Sequence, residues 1–264
     1  LLTQQSIGDL FIASILPAIL LVALMIAVIV FMCWRKPELG PPAKRFTMKE
    51  RMESTVGIIP IFTLFAFVIG GLYLGLFTPT ESGAFGAFGA IVITLLMRKL
   101  SWKSFKDAIV ATLKMSATIM MLVVGAVIFG RFLTTARLPF MISDFINSLA
   151  VPSIMILFII LAIYVVGGAL MDALGFLMVS IPVFFPIIQQ LGYDPVWFSV
   201  LICVLTSLGA ITPPIGLNVF VVKGLNPNYD VVAIFKGTSY FLVAFLIFIA
   251  LYITFPNIAL VLVS

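Results

Sequence analysis

The chain has 264 residues, of which 63% are hydrophobic and 9% charged. Soluble domains carry about 25% charged residues, so a mean hydropathy of +1.29 excludes an ordinary soluble fold and leaves one polytopic membrane domain. The net charge of +5 comes from basic residues gathered at 35–51 and 98–106, the bias of cytoplasmic loops rather than of nucleic-acid binding.

Taken in chain order, Leu10–Trp34 is a first span, ended by Arg35, Lys36 and Pro37. The chain begins at Leu1 rather than Met, close to this span and with nothing resembling a signal peptide, so it reads as a fragment of something longer. The loop over 35–55 carries Arg35, Lys36, Lys44, Arg45, Lys49 and Arg51, which places it in the cytoplasm. Val56–Phe77 then goes out, and Ser82–Met97 returns to Arg98 and Lys99. Gly71 and Gly75 form GxxxG, and Gly83, Gly86 and Gly89 recur every third residue; both patterns read as close helix packing. Thr78-Pro79-Thr80-Glu81 reads as a turn opening the next helix, with Glu81 near its positive end. Ala108–Gly130 goes out again. From Arg131 to Ala150 the pattern changes, with Thr134, Arg137, Asp144 and Asn147 opposite Leu138, Met141, Phe145 and Leu149. That is an amphipathic helix along the interface, started or kinked at Pro139, with Arg131 and Arg137 as headgroup anchors.

The second half carries two interruptions. Pro152–Leu170 and Phe176–Leu191 are apolar runs separated by Gly167-Gly168-Ala169-Leu170-Met171-Asp172-Ala173-Leu174-Gly175. Two full spans and a re-entrant hairpin both fit; a charge and three glycines in the turn favour the hairpin, its tip at mid-membrane. Pro195–Val222 is then broken at Gly209-Ala210-Ile211-Thr212-Pro213-Pro214-Ile215-Gly216 and ends at Lys223, while Val231–Phe255 crosses back and leaves the C-terminus outside. Interrupting a helix in lipid strands backbone N–H and C=O groups, which is tolerated only where the backbone faces a cavity, an ion or other protein.

Asp172 is the acidic residue embedded in this half, and a carboxylate at mid-membrane costs about 2.5–3.5 kcal/mol on the lenient insertion scale. Either it is hydrated at a loop mouth, or it helps bind Na⁺ or H⁺. Carbonyls at Gly168–Leu170 and Gly209–Thr212 supply oxygens for Na⁺, and the half-helix that follows each break offers N–H groups to an anion. The expected metal residues are therefore Gly168, Asp172, Gly209 and Thr212, with Thr212, Pro213, Pro214, Gly216 and Asn218 beside a carboxylate substrate. There is no histidine, which removes the commonest general base and transition-metal ligand. Cys33 and Cys203 read as isolated buried hydrophobes; Trp34, Trp102 and Trp197 fall near interfaces; the 25 Phe read as lipid-facing bulk.

Four stretches resemble one family: Gly71-Leu72-Tyr73-Leu74-Gly75-Leu76-Phe77-Thr78-Pro79-Thr80-Glu81-Ser82-Gly83-Ala84, the Gly167–Pro186 hairpin, Leu191-Gly192-Tyr193-Asp194-Pro195, and the break from Leu208 to Asn218. Together, over about residues 6–256, they resemble the large membrane (M) subunit of tripartite ATP-independent periplasmic (TRAP) transporters. The resemblance implies an all-α, elevator-type carrier built of two inverted repeats, each with a re-entrant hairpin and a broken helix. It also implies Na⁺ as coupling ion, no organic cofactor, a periplasmic substrate-binding protein, a small membrane (Q) subunit, and organic acids such as C4-dicarboxylates or sialic acid as substrates. It divides the chain into scaffold-type helices over 1–130, an interfacial arm over 131–151, and a transport-type half over 152–264. Within that half lie a hairpin over 152–191, a broken helix over 195–224 and a last span over 231–255. The location implied is the bacterial inner membrane, with a periplasmic C-terminus. The family's first repeat, with its own hairpin and Pro-Pro-Ser break, is not found here. Residues 1–34 resemble the connector after it, so the chain reads as a C-terminal half holding half a site and unable to transport alone.

Three other classes share part of this pattern. Another ion-coupled organic-anion carrier shares the broken-helix plan. An intramembrane aspartyl protease needs a Gly-x-Gly-Asp motif that Asp172 lacks, although Tyr193-Asp194 is present. A channel needs a charged ring or carbonyl filter, and neither is found.

Overall fold

The computed structural model describes residues 3–40, 47–138, 141–142, 144, 151–225 and 229–263. Among the described residues every regular element is helical. The helices are α1 (Ile7–Arg35), α2 (Met48–Val56), α3 (Ile59–Tyr73), α4 (Pro79–Leu96), α5 (Trp102–Thr135), α6 (Ser153–Leu170), α7 (Ala173–Gln190), α8 (Pro195–Gly209), α9 (Leu217–Leu225), α10 (Val231–Thr254) and α11 (Asn257–Leu260). Helices α1, α4, α5, α6, α7 and α10 are long and apolar enough to cross a membrane, whereas α3 and α8 are shorter apolar helices. α5 continues past Arg131 to Thr135, and the backbone turns at Arg137 with φ +56°. Nine residues of the expected arm helix, 139, 140, 143 and 145–150, lie outside the described residues.

The chain divides into two compact units, Lys36–Thr118 and the pair Leu1–Arg35 with Ile119–Ser264, the boundary falling inside α5. In the first unit α3 and α4 form a hairpin whose turn is fixed by sequence. Thr78 accepts from the Glu81 N–H at 3.3 Å while the Glu81 carboxylate accepts from the Thr78 N–H at 2.8 Å, a reciprocal cap that starts α4. A Cβ on Gly89 would lie 2.4 Å from Leu64 Cδ1, so this glycine lets α3 and α4 approach closely, whereas one on Gly86 would make ordinary contact with Val68 Cγ2 at 3.5 Å. The other glycines expected to pack helices do something else. Gly75 adopts φ +69° and closes α3, its N–H reaching Leu72 O at 3.1 Å. Gly71 makes room for the Phe77 ring, and Gly83 has nothing within 4 Å.

The second unit is organised around α8, which buries eleven of its fifteen residues and is therefore an interior helix rather than a lipid-facing one. α6 presents Ile156, Leu157, Ile160, Leu161, Tyr164 and Gly168, the i, i+3/i+4 stripe of a helix that buries one face, and makes its most extensive contact with α8. α1, α7, α10 and α11 complete the shell around α8. The start of α8 is held by the Asp194 carboxylate, which accepts from Val196 N–H at 2.8 Å and Trp197 N–H at 2.9 Å, with Pro195 in the first turn.

Trp197 corrects an expectation. It is 2% exposed, not an interfacial ring, whereas Trp34 and Trp102 are 79% and 81% exposed. Its indole stacks between Tyr193 and Tyr252, each with centroids 5.5 Å away. Trp197 Nε1–H donates to Tyr252 O at 3.3 Å, and Tyr252 O–H donates to Trp197 O at 3.0 Å, so each side chain bonds the other's backbone. The pair ties the start of α8 to the end of α10. Two further expectations change. Cys203 is exposed and opens onto an apolar groove of about 440 Å³ between α1 and α8, and Cys33 is half-buried. Phe185, Phe198, Phe245 and Phe248 are core residues rather than lipid-facing bulk.

Tyr252→Phe removes one buried interhelical hydrogen bond and leaves the stack intact. It should lower unfolding free energy by about 1 kcal/mol in detergent, measured beside Tyr73→Phe, whose ring is half exposed. Equal stability of the two variants would contradict the clamp.

Candidate functional site

Both interruptions foreseen in the sequence are places where a helix stops and another starts. α6 ends at Leu170 and α7 begins at Ala173, leaving Met171 and Asp172 as the joint. α8 ends at Gly209 and α9 begins at Leu217. Each break follows a helix C-terminus, and the two C-termini cross at glycine. A Cβ on Gly209 would lie 2.5 Å from the Gly168 carbonyl carbon and 2.7 Å from Ala169 N; one on Gly168 would lie 3.0 Å from Thr206 Cα. Backbone therefore rests on backbone, an approach that any side chain at position 209 would prevent.

The crossing concentrates partial negative charge. The last closed turn of α6 is Met171 N–H to Gly167 O at 2.9 Å, so the carbonyls of Gly168, Ala169 and Leu170 lie beyond the helix's own donors. The α8 end is tightened differently. Ile211 N–H donates to Leu208 O at 3.2 Å and Thr212 N–H to Gly209 O at 2.9 Å. Asn218 N–H then reaches back across the break to Ala210 O at 3.1 Å, and the Thr238 hydroxyl of α10 is shared between Phe235 O of its own helix at 3.0 Å and Ile211 O at 3.4 Å. The Gly209 and Ala210 carbonyls each keep a second lone pair, whereas Leu208 O accepts two bonds. Thr212 Oγ1–H donates to Leu208 O at 2.7 Å, leaving the hydroxyl oxygen as an acceptor. The Pro213–Pro214 peptide is cis. Gly216 has φ +56°, and a Cβ there would lie 2.9 Å from the Phe235 ring and 3.1 Å from Thr212 O. The loop is thus folded on itself and roofed by α10.

Asp172 is the N-cap of α7. Its Oδ2 accepts from Leu174 N–H at 3.1 Å and Gly175 N–H at 3.2 Å, and neither bond uses Oδ1. Asp194 and Asp230 cap α8 and α10 in the same way.

Gly168 and Gly209 are brought into contact, with Asp172 four residues and Thr212 three residues further along their segments. Pro213, Pro214, Gly216 and Asn218 lie on the loop beyond Thr212. Sequence reasoning missed Thr238, Phe235 and the Gly167–Phe176 contact, where a Cβ would lie 2.1 Å from the ring. Thr238 and Phe235 lie on an unbroken apolar helix, and nothing in their spacing marks them.

The sequence profile described as "Tripartite ATP-independent periplasmic transporter, DctM component" matches residues 1–258. The chain belongs to this TRAP family. It is 28% identical over 98% of its length to the C4-dicarboxylate TRAP transporter large permease protein DctM of Pseudomonas aeruginosa, and spans 60% of that protein. It is 34% identical over 83% of its length to the 2,3-diketo-L-gulonate TRAP transporter large permease protein YiaN of Escherichia coli, and spans 52% of it. It is 26% identical over 98% of its length to the sialic acid TRAP transporter large permease protein SiaM of Vibrio cholerae, and spans 60% of it. These relatives are transporter permeases and not enzymes. Membership makes the chain part of a multi-pass membrane transporter, consistent with its six candidate spans.

The glycine crossing makes a sharp prediction. Gly209→Ala should cost about 1–3 kcal/mol of stability and abolish uptake by the complete TRAP transporter, read by thermal unfolding and by uptake. Gly175→Ala, where nothing lies within 4 Å of the added Cβ, should leave both unchanged. Equal behaviour of the two variants would contradict the close approach.

Proposed function

We propose that this chain supplies one side of the binding site in a Na⁺-coupled organic-acid uptake system, as the C-terminal half of a TRAP large permease subunit. The observation that carries the reading is the crossing of two helix C-termini at Gly168 and Gly209. Two negative helix ends with free carbonyl lone pairs favour a cation between them. The residues proposed to hold Na⁺ are Gly168, Asp172, Gly209 and Thr212. Asp172 contributes through Oδ1 while Oδ2 holds the start of α7. A carboxylate sits beside the ion, against Thr212, Pro213, Pro214, Gly216 and Asn218. The relatives' names support an acid, since C4-dicarboxylates, 2,3-diketo-L-gulonate and sialic acid all carry carboxyl groups. α6 and α7 act as a re-entrant hairpin within an elevator-type half, residues 1–130 as scaffold and 131–151 as arm. A counterpart repeat supplies the other side of the site. A periplasmic binding protein delivers substrate, and a small membrane subunit braces the assembly in the inner membrane with the C-terminus periplasmic. Uptake that proceeds without a binding protein would favour the rival reading, a different ion-coupled carrier.

Asp172→Asn separates charge from capping, because an asparagine still accepts from the α7 amides. In the complete transporter Asp172→Asn and Thr212→Val should each raise the Na⁺ concentration for half-maximal uptake by about tenfold, close to 1.4 kcal/mol, with little change in expression. Unchanged Na⁺ dependence in both variants would remove these residues from the ion site.

A further inference from the structure

One end of the first unit gathers positive charge next to a helix closure made by an arginine. The contacts of Leu64 with Gly89 and Val68 with Gly86, and of Phe67 with Phe85, pair α3 and α4 antiparallel. The start of α3 therefore lies beside the end of α4. At that end α4 closes with Arg98 N–H donating to Leu95 O at 2.9 Å and Lys99 N–H to Thr94 O at 3.0 Å. This closure needs a left-handed residue, and Arg98 has φ +54°. α3 and α7 end with the same pattern of bonds but place Gly75 at φ +69° and Gly192 at φ +80° there. An arginine in the left-handed region, as Arg137 also is after α5, is a strained choice that glycine would relieve, and its side chain is the reason to look further.

Lys99, Lys103 and Lys106 follow Arg98 in the chain, with Asp107 the one carboxylate between residues 98 and 107. Trp102, at the start of α5, is 81% exposed. α2, which packs on α3, carries Lys49 and Arg51 against Glu50 and Glu53 and so adds no net charge. Its exposed Met48 and Met52 sit one turn apart, while its Glu50 is committed to the Thr47 cap. Basic groups, an exposed indole and a thin apolar stripe at the edge of a helical hairpin match a membrane surface bearing negative charge.

We propose that the connection between α4 and α5 binds the phosphate headgroup of an anionic phospholipid, with Arg98, Lys99, Lys103 and Lys106 as its donors and Trp102 seated among the adjoining acyl chains. Arginine is suited to the phosphate because its planar fork donates two parallel hydrogen bonds. The alternative, that Arg98 merely complements the negative end of α4, predicts a stability effect without lipid selectivity.

The test uses the complete transporter in nanodiscs containing brominated phosphatidylglycerol or brominated phosphatidylcholine at equal mole fraction. The Trp102 signal is isolated by comparison with Trp102→Phe. Phosphatidylglycerol should quench Trp102 more strongly, and Arg98→Gly and Lys103→Gln should each weaken that preference about fivefold. Arg98→Gly should at the same time keep or raise the melting temperature, since glycine relieves the backbone. Equal quenching by the two lipids, or a preference unchanged in both variants, would overturn the proposal. Loss of the preference on adding soluble glycerol phosphate would assign the site to free phosphoesters and overturn the lipid assignment.

Discussion

The contact of Gly168 with Gly209 is the constraint on which the candidate site depends. In lipid a helix can stop only where its exposed backbone groups find partners. Here two helices far apart in sequence stop side by side, touching backbone against backbone. That placement turns two separate liabilities into one concentrated patch of carbonyl oxygen. It also explains why α8 is the most buried helix: it must be held firmly for its end to meet the end of α6 at this distance.

The remaining structure serves that placement from both directions. At its start α8 is fixed by the Asp194 cap and by the reciprocal bonds of Trp197 and Tyr252 to α10. At its end the break is held by Asn218 reaching back to Ala210, by Thr238 of α10 on Ile211, and by the Phe235 ring over Gly216. The same final span thus grips both ends of the broken helix. Asp172 completes the arrangement with a double function: one oxygen satisfies the first amides of α7, and the other is not used by them. A carboxylate that a helix needs anyway costs less to keep in an apolar setting than one placed there for an ion alone.

Much of this was legible in the chain. The break after Gly209 was announced by two prolines inside an apolar run, and the α6–α7 joint by its glycines and aspartate. The family followed from the order of those motifs. Pairing was not legible, because Gly168 and Gly209 lie forty-one positions apart and each is one of several glycines that look alike in sequence. Gly75 and Gly89 make the same point: one is needed for a left-handed turn and the other for close approach, and spacing does not separate the two. Trp197 resembled an interfacial ring because it stands near a span's end, yet its position is set by Tyr193 and Tyr252, and Tyr252 lies far along the chain. The roofing residues Thr238 and Phe235 carry no local mark at all.

The central claim is that the α6–α7 joint is the inner tip of a site shared by Na⁺ and an organic acid. The most direct measurement is the labelling rate, by a membrane-impermeant maleimide, of Leu174→Cys and Tyr193→Cys in the complete transporter, with Cys33 and Cys203 replaced by serine. Labelling should be slower at Leu174→Cys, slowed further by Na⁺ with substrate, with no such effect at Tyr193→Cys. Equal rates at the two positions, indifferent to Na⁺ and substrate, would contradict it.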